Sequence, residues 1–315
     1  MARARLFAGS PVHLGREASL VAILLLLVIG IALAPTLGAG FVFDDRADVL
    51  DNPAASPGGL LPALGRTNRP LVKASYALQR LATGESPRPF HAVNLGLHLL
   101  TALLVLAFAR RLAARAELAR PDLVGALAAA LWALHPAVVE TVAPVTGRSL
   151  LLATPLMLAA LLLVTGEAPP SRSASLAALG LALAATAARE TALVLPALGL
   201  AWQATLGTGE DRLTALRRQL PLLAGALLGA AALALSARHR ELLAYSFETR
   251  SPLEALRGNL FAIPEILRMA VEPGRISIDP ATPPDLPWAA PATQLRLAVL
   301  VGAGAFGWLL RRRAP

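Results

Sequence analysis

The stretch ASLVAILLLLVIGIALAPTL, residues 18–37, carries no charged side chain and is long enough to cross a bilayer, which requires roughly 20 mostly apolar residues. Soon after it, GFVFDDRADVLDNP, residues 40–53, places Asp44, Asp45 and Asp48 within five positions. The first stretch predicts a membrane-spanning helix. The second predicts an acidic loop just outside the hydrocarbon, where a charge is expected only if it has a structural or chemical use.

The composition of the whole chain supports a polytopic membrane protein. Of its 315 residues, 56% are hydrophobic and 16% are charged, and the mean hydropathy is +0.59. The chain has no cysteine, so disulfides and thiolate metal sites are excluded. Any chemistry must therefore use Asp, Glu, His, Arg or Lys, and no nucleic-acid partner is expected.

Eight apolar runs are candidates for spanning helices, and they predict an all-α membrane fold in a single domain, residues 1–315. We expect the first run to be kept as a membrane anchor, because no small-residue cleavage pattern clearly ends it. An even number of spans places both termini on one side. The eight predicted spans are 18–37, 90–109, 122–141, 149–165, 174–188, 190–206, 219–237 and 293–310.

The arginines of the short connections predict the orientation. In the eight-span arrangement they all fall on one side, which the positive-inside rule makes cytoplasmic. The alanine-rich and arginine-rich composition favours a bacterial source, so we expect an inner (plasma) membrane protein with cytoplasmic termini. These arginines are Arg3, Arg5, Arg16, Arg110, Arg111, Arg115, Arg120, Arg172, Arg212, Arg217, Arg218, Arg311, Arg312 and Arg313.

Two longer segments, 38–89 and 238–292, then lie on the outer side, and each contains a helix signal too polar to span. In the first, Asn68 is a candidate N-cap and Pro70 suits the first turn. In the second, the sequence from Ser251 to Glu254 has the capping-box pattern. We expect both to form helices that lie in the membrane interface.

Ionisable and polar residues collect at the predicted outer ends of the helices. Because the helices alternate in direction, residues far apart in sequence reach the same membrane depth, and charges there tend to face a cavity or one another. The group comprises Asp44, Asp45, Arg69, Lys73, His91, Asn94, His135, Glu140, Arg148, Arg189 and Glu190.

Five ordered motifs carry a resemblance to a known family. They are FVFDDRADVLDNP (41–53), NRPLVKASYALQRLATG (68–84), PFHAVNLGLHLL (89–100), ALWALHPAVVETVAPVTGRSLLLA (130–153) and ARETALVLP (188–196). In this order and spacing they resemble the membrane part of the transmembrane and tetratricopeptide-repeat O-mannosyltransferases, which belong to the GT-C glycosyltransferase superfamily. The repeats of that family are not found in these 315 residues. At a motif usually written Lys-Glu, this chain has Arg189-Glu190.

The resemblance implies transfer of a hexose, mannose-like, from a polyprenyl-phosphate carrier to a hydroxyl acceptor at the outer face, with inversion at the anomeric carbon. Such a displacement needs a carboxylate that takes the acceptor's proton, and Asp44 or Asp45 suits this role, with a slight preference for Asp44. A divalent cation, Mg²⁺ or Mn²⁺, held by Asp44 or Asp45 is a further candidate, although no metal site is assigned.

The phosphate leaving group needs positive charge facing it as the bond breaks. Arg148, Arg189, Arg69 and Lys73 are the candidates, and Arg148 ranks first because it begins a predicted span at the depth of a membrane-held phosphate. Arginine suits this role because its planar fork can bind two phosphate oxygens.

The remaining candidates have structural alternatives. His91 is the candidate for substrate contact among His91, Asn94 and His98, which otherwise suit interhelical hydrogen bonds. His135 either lines the site or ends a helix before Pro136 and bonds a nearby carbonyl. Glu140 either lines the site or pairs with an arginine, whereas Asp48, Asp51 and Asn52 are expected to be caps or turn formers.

Two other functions compete with sugar transfer. A transporter or lipid flippase would also keep charges in its helices, but its ionisable groups would lie near the midplane rather than at the outer ends. An inactive GT-C-like scaffold is the third possibility. The acceptor stays open between protein Ser/Thr, a glycan and a lipid headgroup.

Overall fold

The computed structural model describes residues 16–207, 211–272, 274 and 287–310, and every regular element within these ranges is helical. Short 3-10 or π-helical turns join several of the α-helices. The α-helices are α1 (Arg16–Leu33), α2 (Leu60–Ala63), α3 (Pro70–Thr83), α4 (Pro87–Arg115), α5 (Pro121–Ala133), α6 (Val139–Val142), α7 (Arg148–Val164), α8 (Arg172–Ala188), α9 (Leu195–Leu206), α10 (Arg212–Leu235), α11 (Ala237–Thr249), α12 (Pro252–Val271) and α13 (Pro291–Leu310).

Helices occur at all eight positions where spans are predicted, but their lengths differ. Four helical segments in the described ranges are long and apolar enough to cross a membrane: Ser19–Gly38, Pro87–Arg115, Val145–Val164 and Leu213–Leu235. A fifth is counted if Pro121–Ala133 and Pro136–Val142, which meet at a 56° bend, form one span. The chain is thus a multi-pass membrane protein with four or five candidate spans, and eight spans stay a prediction.

The predicted span 190–206 shows why fewer helices than the eight predicted are long enough to cross a membrane. It divides into a 3-10 turn, Glu190–Val194, and the 12-residue helix α9, which is too short to span alone. The helix α8 is 17 residues long and is also shorter than the usual span. Glycine and alanine let these helices pack closely: a Cβ added at Gly225 or Gly229 of α10 would lie 2.6 Å from Ala182 or 2.8 Å from Thr186 of α8.

Contacts between helix ends show that successive long helices alternate in direction. Asp45 contacts Thr146, Arg148 contacts Phe90 and Arg189 contacts Ser149, which brings these termini to one end of the bundle, here called the cavity end. At the opposite end, here called the arginine end, Arg110 pairs with Asp122, Arg111 contacts Thr165 and Arg218 contacts Gly166. The contacts therefore bring helix ends that are distant in sequence together, whereas their common membrane depth stays a prediction.

The two polar helix signals form helices, with one correction. The capping box at Ser251 is present, with the Ser251 hydroxyl and the Glu254 carboxylate each accepting from the other residue's backbone N–H. The predicted Asn68 cap is wrong: the N-cap of α3 is Arg69, and no side chain caps that helix. Proline at the first position of α3 removes one of the N–H groups that a cap would otherwise satisfy.

Several predicted features lie outside the described residues. These are Arg3, Arg5 and the arginines 311–313 at the two termini, and residues 275–286 of the second outer segment.

Candidate functional site

A polar cavity of about 290 Å³ opens at the cavity end of the bundle. Three separate parts of the chain form its wall: the acidic loop after α1, the start of α3 and the start of α7. The cavity is lined by Asp44, Ala47, Asp48, Asn68, Arg69, Val72, Lys73, Thr146 and Ser149.

The two adjacent aspartates have different environments. Asp44 is exposed to the cavity, and its carboxylate makes no hydrogen bond or ion pair with a described residue. Asp45 is fully buried, and its carboxylate accepts hydrogen bonds from the Val42 N–H at 3.0 Å and from the N–H and hydroxyl of Thr146 at 2.8 and 2.9 Å. Of the two predicted bases, Asp44 lines the cavity and Asp45 does not.

Two strained backbone positions flank this cavity. Phe43 and Arg69 both have φ of 50°, and they are two of the three non-glycine residues with positive φ in the described ranges. A bulky residue in this region is disfavoured, and such conformations cluster at functional sites. Phe43 directly precedes Asp44, and Arg69 is the N-cap of α3. These backbone conformations therefore help to position Asp44 and Arg69, which bring opposite charges to the cavity.

Lys73 is buried in the cavity wall and forms an ion pair with Asp48. Its ammonium also donates to the Asp48 carbonyl at 3.4 Å. Burial lowers the pKa of Lys73 from its ordinary value, an effect that the hydrogen bond donated to Asp48 partly offsets. Asp48, expected to be a turn former, is instead the partner of a cavity cation.

Arg69 and Arg189 bring two further cations close to the cavity. Arg69 donates to Glu190 from Nε and Nη2, both at 3.3 Å, and Glu190 also lies 3.2 Å from His239 of α11. Arg189 donates to the hydroxyl of Ser149 at 2.9 Å, and its Nε is buried without a partner. Both arginines are therefore held in place while keeping N–H donors for an anion.

Arg148 has a different environment from the one predicted. It is fully buried and donates to Asn94 Oδ1 at 3.0 Å, to Gln79 Oε1 at 2.6 Å and to the Phe90 carbonyl at 2.9 Å. Its guanidinium also lies 4.9 Å from the centre of the Tyr76 ring. Arg148 does not line the polar cavity and instead joins α3, α4 and α7.

The polar residues of α4 are mostly interhelical hydrogen-bonding groups. Asn94 donates to the Pro144 carbonyl at 2.9 Å, and His98 Nε2 lies 3.0 Å from the Ala133 carbonyl, as expected of both. His91 is fully buried, and neither of its ring nitrogens has a partner among the described residues. His91 is not among the residues that line the polar cavity.

A second, larger cavity of about 780 Å³ lies beside the first and is mainly apolar. Leu131, Trp132, Leu150 and Ile266 line it, together with the predicted site residues His135 and Glu140. Ser149 faces the polar cavity and the next residue, Leu150, faces the apolar one, so the first turn of α7 separates them.

His135 and Glu140 thus lie apart from the acidic loop. The imidazole of His135 accepts from the Ala137 N–H at 3.2 Å and lies 3.2 Å from the Ala270 carbonyl, so the structural role weighed for it is confirmed. Glu140 forms no ion pair with an arginine in the described ranges. Both side chains belong to the wall of the apolar cavity.

The part of the chain described by the structure contains no group of three or more His, Asp or Glu side chains placed to hold a metal ion. Both carboxylate oxygens of Asp45 already accept hydrogen bonds from protein donors. A divalent cation held by Asp44 or Asp45 stays a prediction, and the buried Asp45 carboxylate is the less available of the two.

Several residues in or next to the site are not predicted by the sequence motifs, mainly Thr146, Ser149, Gln79 and His239. Thr146 and Ser149 flank Arg148 within a quoted motif, so their position beside a charged residue was the available signal. Gln79 and His239 had no comparable signal, because their roles depend on contacts with distant helices.

Comparison with known proteins finds homology over part of the chain. A stretch of 130 residues is 38% identical to the protein O-mannosyl-transferase Tmtc1 of Drosophila melanogaster, covering 36% of this chain and 14% of that protein. Identity to the protein O-mannosyl-transferase TMTC3 is 29% over 153 residues in Mus musculus and 28% over 165 residues in Homo sapiens. These matches cover 44% and 47% of this chain and 16% and 17% of the two TMTC3 proteins.

The chain therefore spans between 14% and 17% of the length of these curated relatives. No protein-family model and no solved structure matches it. The resemblance to the transmembrane and tetratricopeptide-repeat O-mannosyltransferases is confirmed as partial homology.

Proposed function

We propose that the protein transfers a hexose from a polyprenyl-phosphate carrier to a hydroxyl acceptor, with inversion at the anomeric carbon. The observation that carries this proposal is Asp44, an exposed carboxylate without a protein partner in a cavity that also holds Arg69 and Lys73. A carboxylate beside fixed cations suits a reaction that removes a proton from an acceptor and releases a phosphate.

In this reaction Asp44 takes the proton of the acceptor hydroxyl as the acceptor oxygen bonds to the anomeric carbon. The bond from that carbon to the phosphate oxygen breaks at the same time, and the released polyprenyl phosphate carries the electron pair. Asp45 does not exchange protons with substrate, because its carboxylate is fully buried and hydrogen-bonded to Val42 and Thr146. It acts as a positioning residue for Asp44.

Arg69 and Arg189 are the proposed phosphate-binding residues. Arg69 lines the cavity, and Arg189 reaches its wall through Ser149, with Nε left without a partner. Glu190 orients Arg69, and Lys73 balances the charge of Asp48. Arg148 is left out of this set because it is buried behind the cavity.

The apolar cavity suits the prenyl chain of the carrier. It is adjacent to the polar cavity across one turn of α7, and its wall includes Leu131 and Ile266, which are exposed on the outside of the bundle. A carrier whose phosphate lies in the polar cavity could therefore extend its chain along this wall into the lipid. His135 and Glu140 would then lie near the chain rather than at the reacting carbon.

The proposed topology places the cavity end at the outer face of the bacterial inner membrane, with eight spans in one membrane domain. The arginines of the opposite end support this orientation through the positive-inside rule. The acceptor then meets the lipid-held sugar from the aqueous side, and the segments 38–89 and 238–292 lie on that side.

Transfer by the purified protein tests the proposal. The protein is reconstituted in lipid and given polyprenyl-phosphate mannose and polyprenyl-phosphate glucose, each labelled in the sugar, with a hydroxylated peptide, a glycan or a lipid as the acceptor. Product in any arm, with the anomeric configuration opposite to that of the donor, supports the proposal. Retained configuration, or movement of the intact donor across the membrane without transfer, contradicts it.

A further inference from the structure

A small cavity of about 170 Å³ lies at the arginine end, away from the proposed reaction site. The helix α7 separates the two ends, and its 17 residues correspond to about 25 Å. The wall of this cavity contains two guanidinium groups and one carboxylate. It is lined by Arg111, Ala114, Arg115, Thr165, Gly166 and Glu167.

The two arginines lie on the same face of α4, one helical turn apart, where like charges repel. Arg111 is held by the Leu162 carbonyl and by the Thr165 hydroxyl, at 3.0 Å from the latter. Arg115 makes no hydrogen bond or ion pair in the described ranges, and Glu167 pairs with neither arginine. Glu167 partly offsets the charge of Arg111, but two guanidinium groups against one carboxylate leave the cavity with a net positive charge.

The carbonyl groups at the end of α7 do not supply this missing negative charge. Arg218 of α10 is buried against them and donates to the carbonyls of Gly166 and Ala168 at 3.0 and 2.9 Å. These acceptors are therefore already used by a third arginine. Arg115 is left facing the cavity with its N–H donors available.

We propose that this cavity binds the phosphate of an anionic phospholipid headgroup. The helix α4 is a candidate membrane span that ends at Arg115, so the cavity lies where headgroups are expected. Leu112, next to Arg111, is exposed and offers an apolar surface for an acyl chain. The volume accommodates one phosphate group but not a nucleotide. Basic pockets between membrane helices at the cytoplasmic surface commonly bind anionic lipid headgroups.

This site does not depend on the proposed transfer reaction, and binding is its direct test. Purified full-length protein in neutral detergent is titrated with dioctanoyl phosphatidylglycerol, dioctanoyl phosphatidylcholine and inorganic phosphate. We expect phosphatidylglycerol to bind most tightly, and Arg115→Gln to raise its Kd about fivefold, the effect of removing one arginine near a membrane surface.

Arg120→Gln is the matched control, since Arg120 is exposed in the turn after α4 and does not line the cavity. It removes the same charge and should leave the Kd unchanged.

Equal weakening by the two substitutions would overturn the proposed site. Equal binding of phosphatidylcholine would overturn the anionic headgroup, and equal binding of inorganic phosphate would assign the site to a free anion. Without lipid, Arg115→Gln should unfold at the wild-type temperature, because the Arg115 side chain makes no hydrogen bond or ion pair with a described residue.

Discussion

Asp45 and Thr146 are hydrogen-bonded to each other across 101 residues of sequence. One oxygen of the Asp45 carboxylate accepts from both the N–H and the hydroxyl of Thr146, while the other accepts from the Val42 N–H. Because Asp45 is fully buried, these bonds fix the acidic loop against the start of α7. While these bonds hold the Asp45 carboxylate inside the bundle, the neighbouring Asp44 carboxylate faces the polar cavity.

The first prediction is that Asp45→Asn destabilises the fold. The amide nitrogen of asparagine cannot accept a hydrogen bond, so at least one of the three donors loses its partner, at a cost of about 1–3 kcal/mol. Thermal unfolding of the purified protein in detergent measures the effect. Asp51→Asn is the control, because Asp51 is exposed and its ion pair with Arg46, the only one it makes among the described residues, is 3.6 Å long. Equal unfolding temperatures for the two variants would contradict the positioning role of Asp45.

The second prediction concerns Arg148, whose side chain joins α3, α4 and α7. Arg148→Ala removes three hydrogen bonds and leaves the buried side-chain oxygens of Gln79 and Asn94 without this donor, and the expected loss of stability is about 3 kcal/mol or more. Arg148→Lys should also be unstable, because one ammonium cannot reach three acceptors that a planar fork satisfies.

The matched control for Arg148 is Arg88→Ala, since Arg88 is an exposed arginine in the first turn of α4. It should keep both membrane abundance and unfolding temperature. If Arg148→Lys kept the wild-type unfolding temperature and lost only donor binding, Arg148 would contact the donor phosphate directly and the structural role would be wrong.

The sequence is sufficient to predict the helices and the end of the bundle at which the site lies, because both follow from apolar periodicity and alternating direction. Apolar runs identify α1, α4, α7 and α10, although they overstate the length of α9. Asn94 and His98 were expected to bond between helices because polar groups inside a membrane bundle need partners.

The direction of individual side chains could not be predicted in the same way. The difference between Asp44 and Asp45 depends on the positive φ of Phe43, which no local rule assigns to phenylalanine. The burial of Arg148 depends on Gln79 from α3, whose pairing with it spans 69 residues of sequence. Such contacts belong to the packed structure rather than to any one segment.

The third prediction is the topology. The chain has no cysteine, so single cysteines can be introduced without background. Cysteines replacing Ser56 and Ser246 should react with an impermeant thiol reagent from outside intact cells, whereas a cysteine replacing Ser173 should react only after the membrane is opened. Labelling of Ser173→Cys from outside, or of only one of the other two, would contradict the proposed orientation.

The fourth prediction is a pH dependence that comes from Lys73. Its folded-state pKa lies below the unfolded value of 10.5, so the folded protein loses this proton first as the pH rises. The unfolded state then binds more protons, and the contribution of Lys73 to stability rises with pH up to about 10.5. Asp48→Asn removes the partner that raises this pKa, so the variant should be less stable than the wild-type protein at pH 7. Its stability should also increase more than that of the wild-type protein between pH 7 and pH 10.

Lys73→Met tests this assignment because it removes the titrating group while keeping an unbranched side chain. In the Asp48→Asn, Lys73→Met double variant the recovery at high pH should disappear, as measured by unfolding midpoints between pH 7 and 10. A recovery that persists in the double variant would assign the titration to another group.

The last prediction concerns Asp44 as the general base. Asp44→Asn keeps the size of the side chain and removes its ability to take a proton, so transfer should fall by about 10²-fold or more. Stability should not change, because the Asp44 carboxylate makes no bond with a described residue. The measurement is the rate of sugar transfer in lipid at saturating donor, with the unfolding temperature of the same preparations.

Two controls separate the roles of the neighbouring carboxylates. Asp51→Asn, outside the cavity, should transfer at nearly the wild-type rate, whereas Asp45→Asn should lose stability together with activity. A stable but inactive Asp44→Asn protein is therefore the distinctive result, because the loss of a group that acts on substrate, unlike a folding defect, separates activity from stability in this way. Normal transfer by Asp44→Asn would show that the exposed carboxylate is an ordinary loop residue and would remove the chemical basis of the proposed reaction.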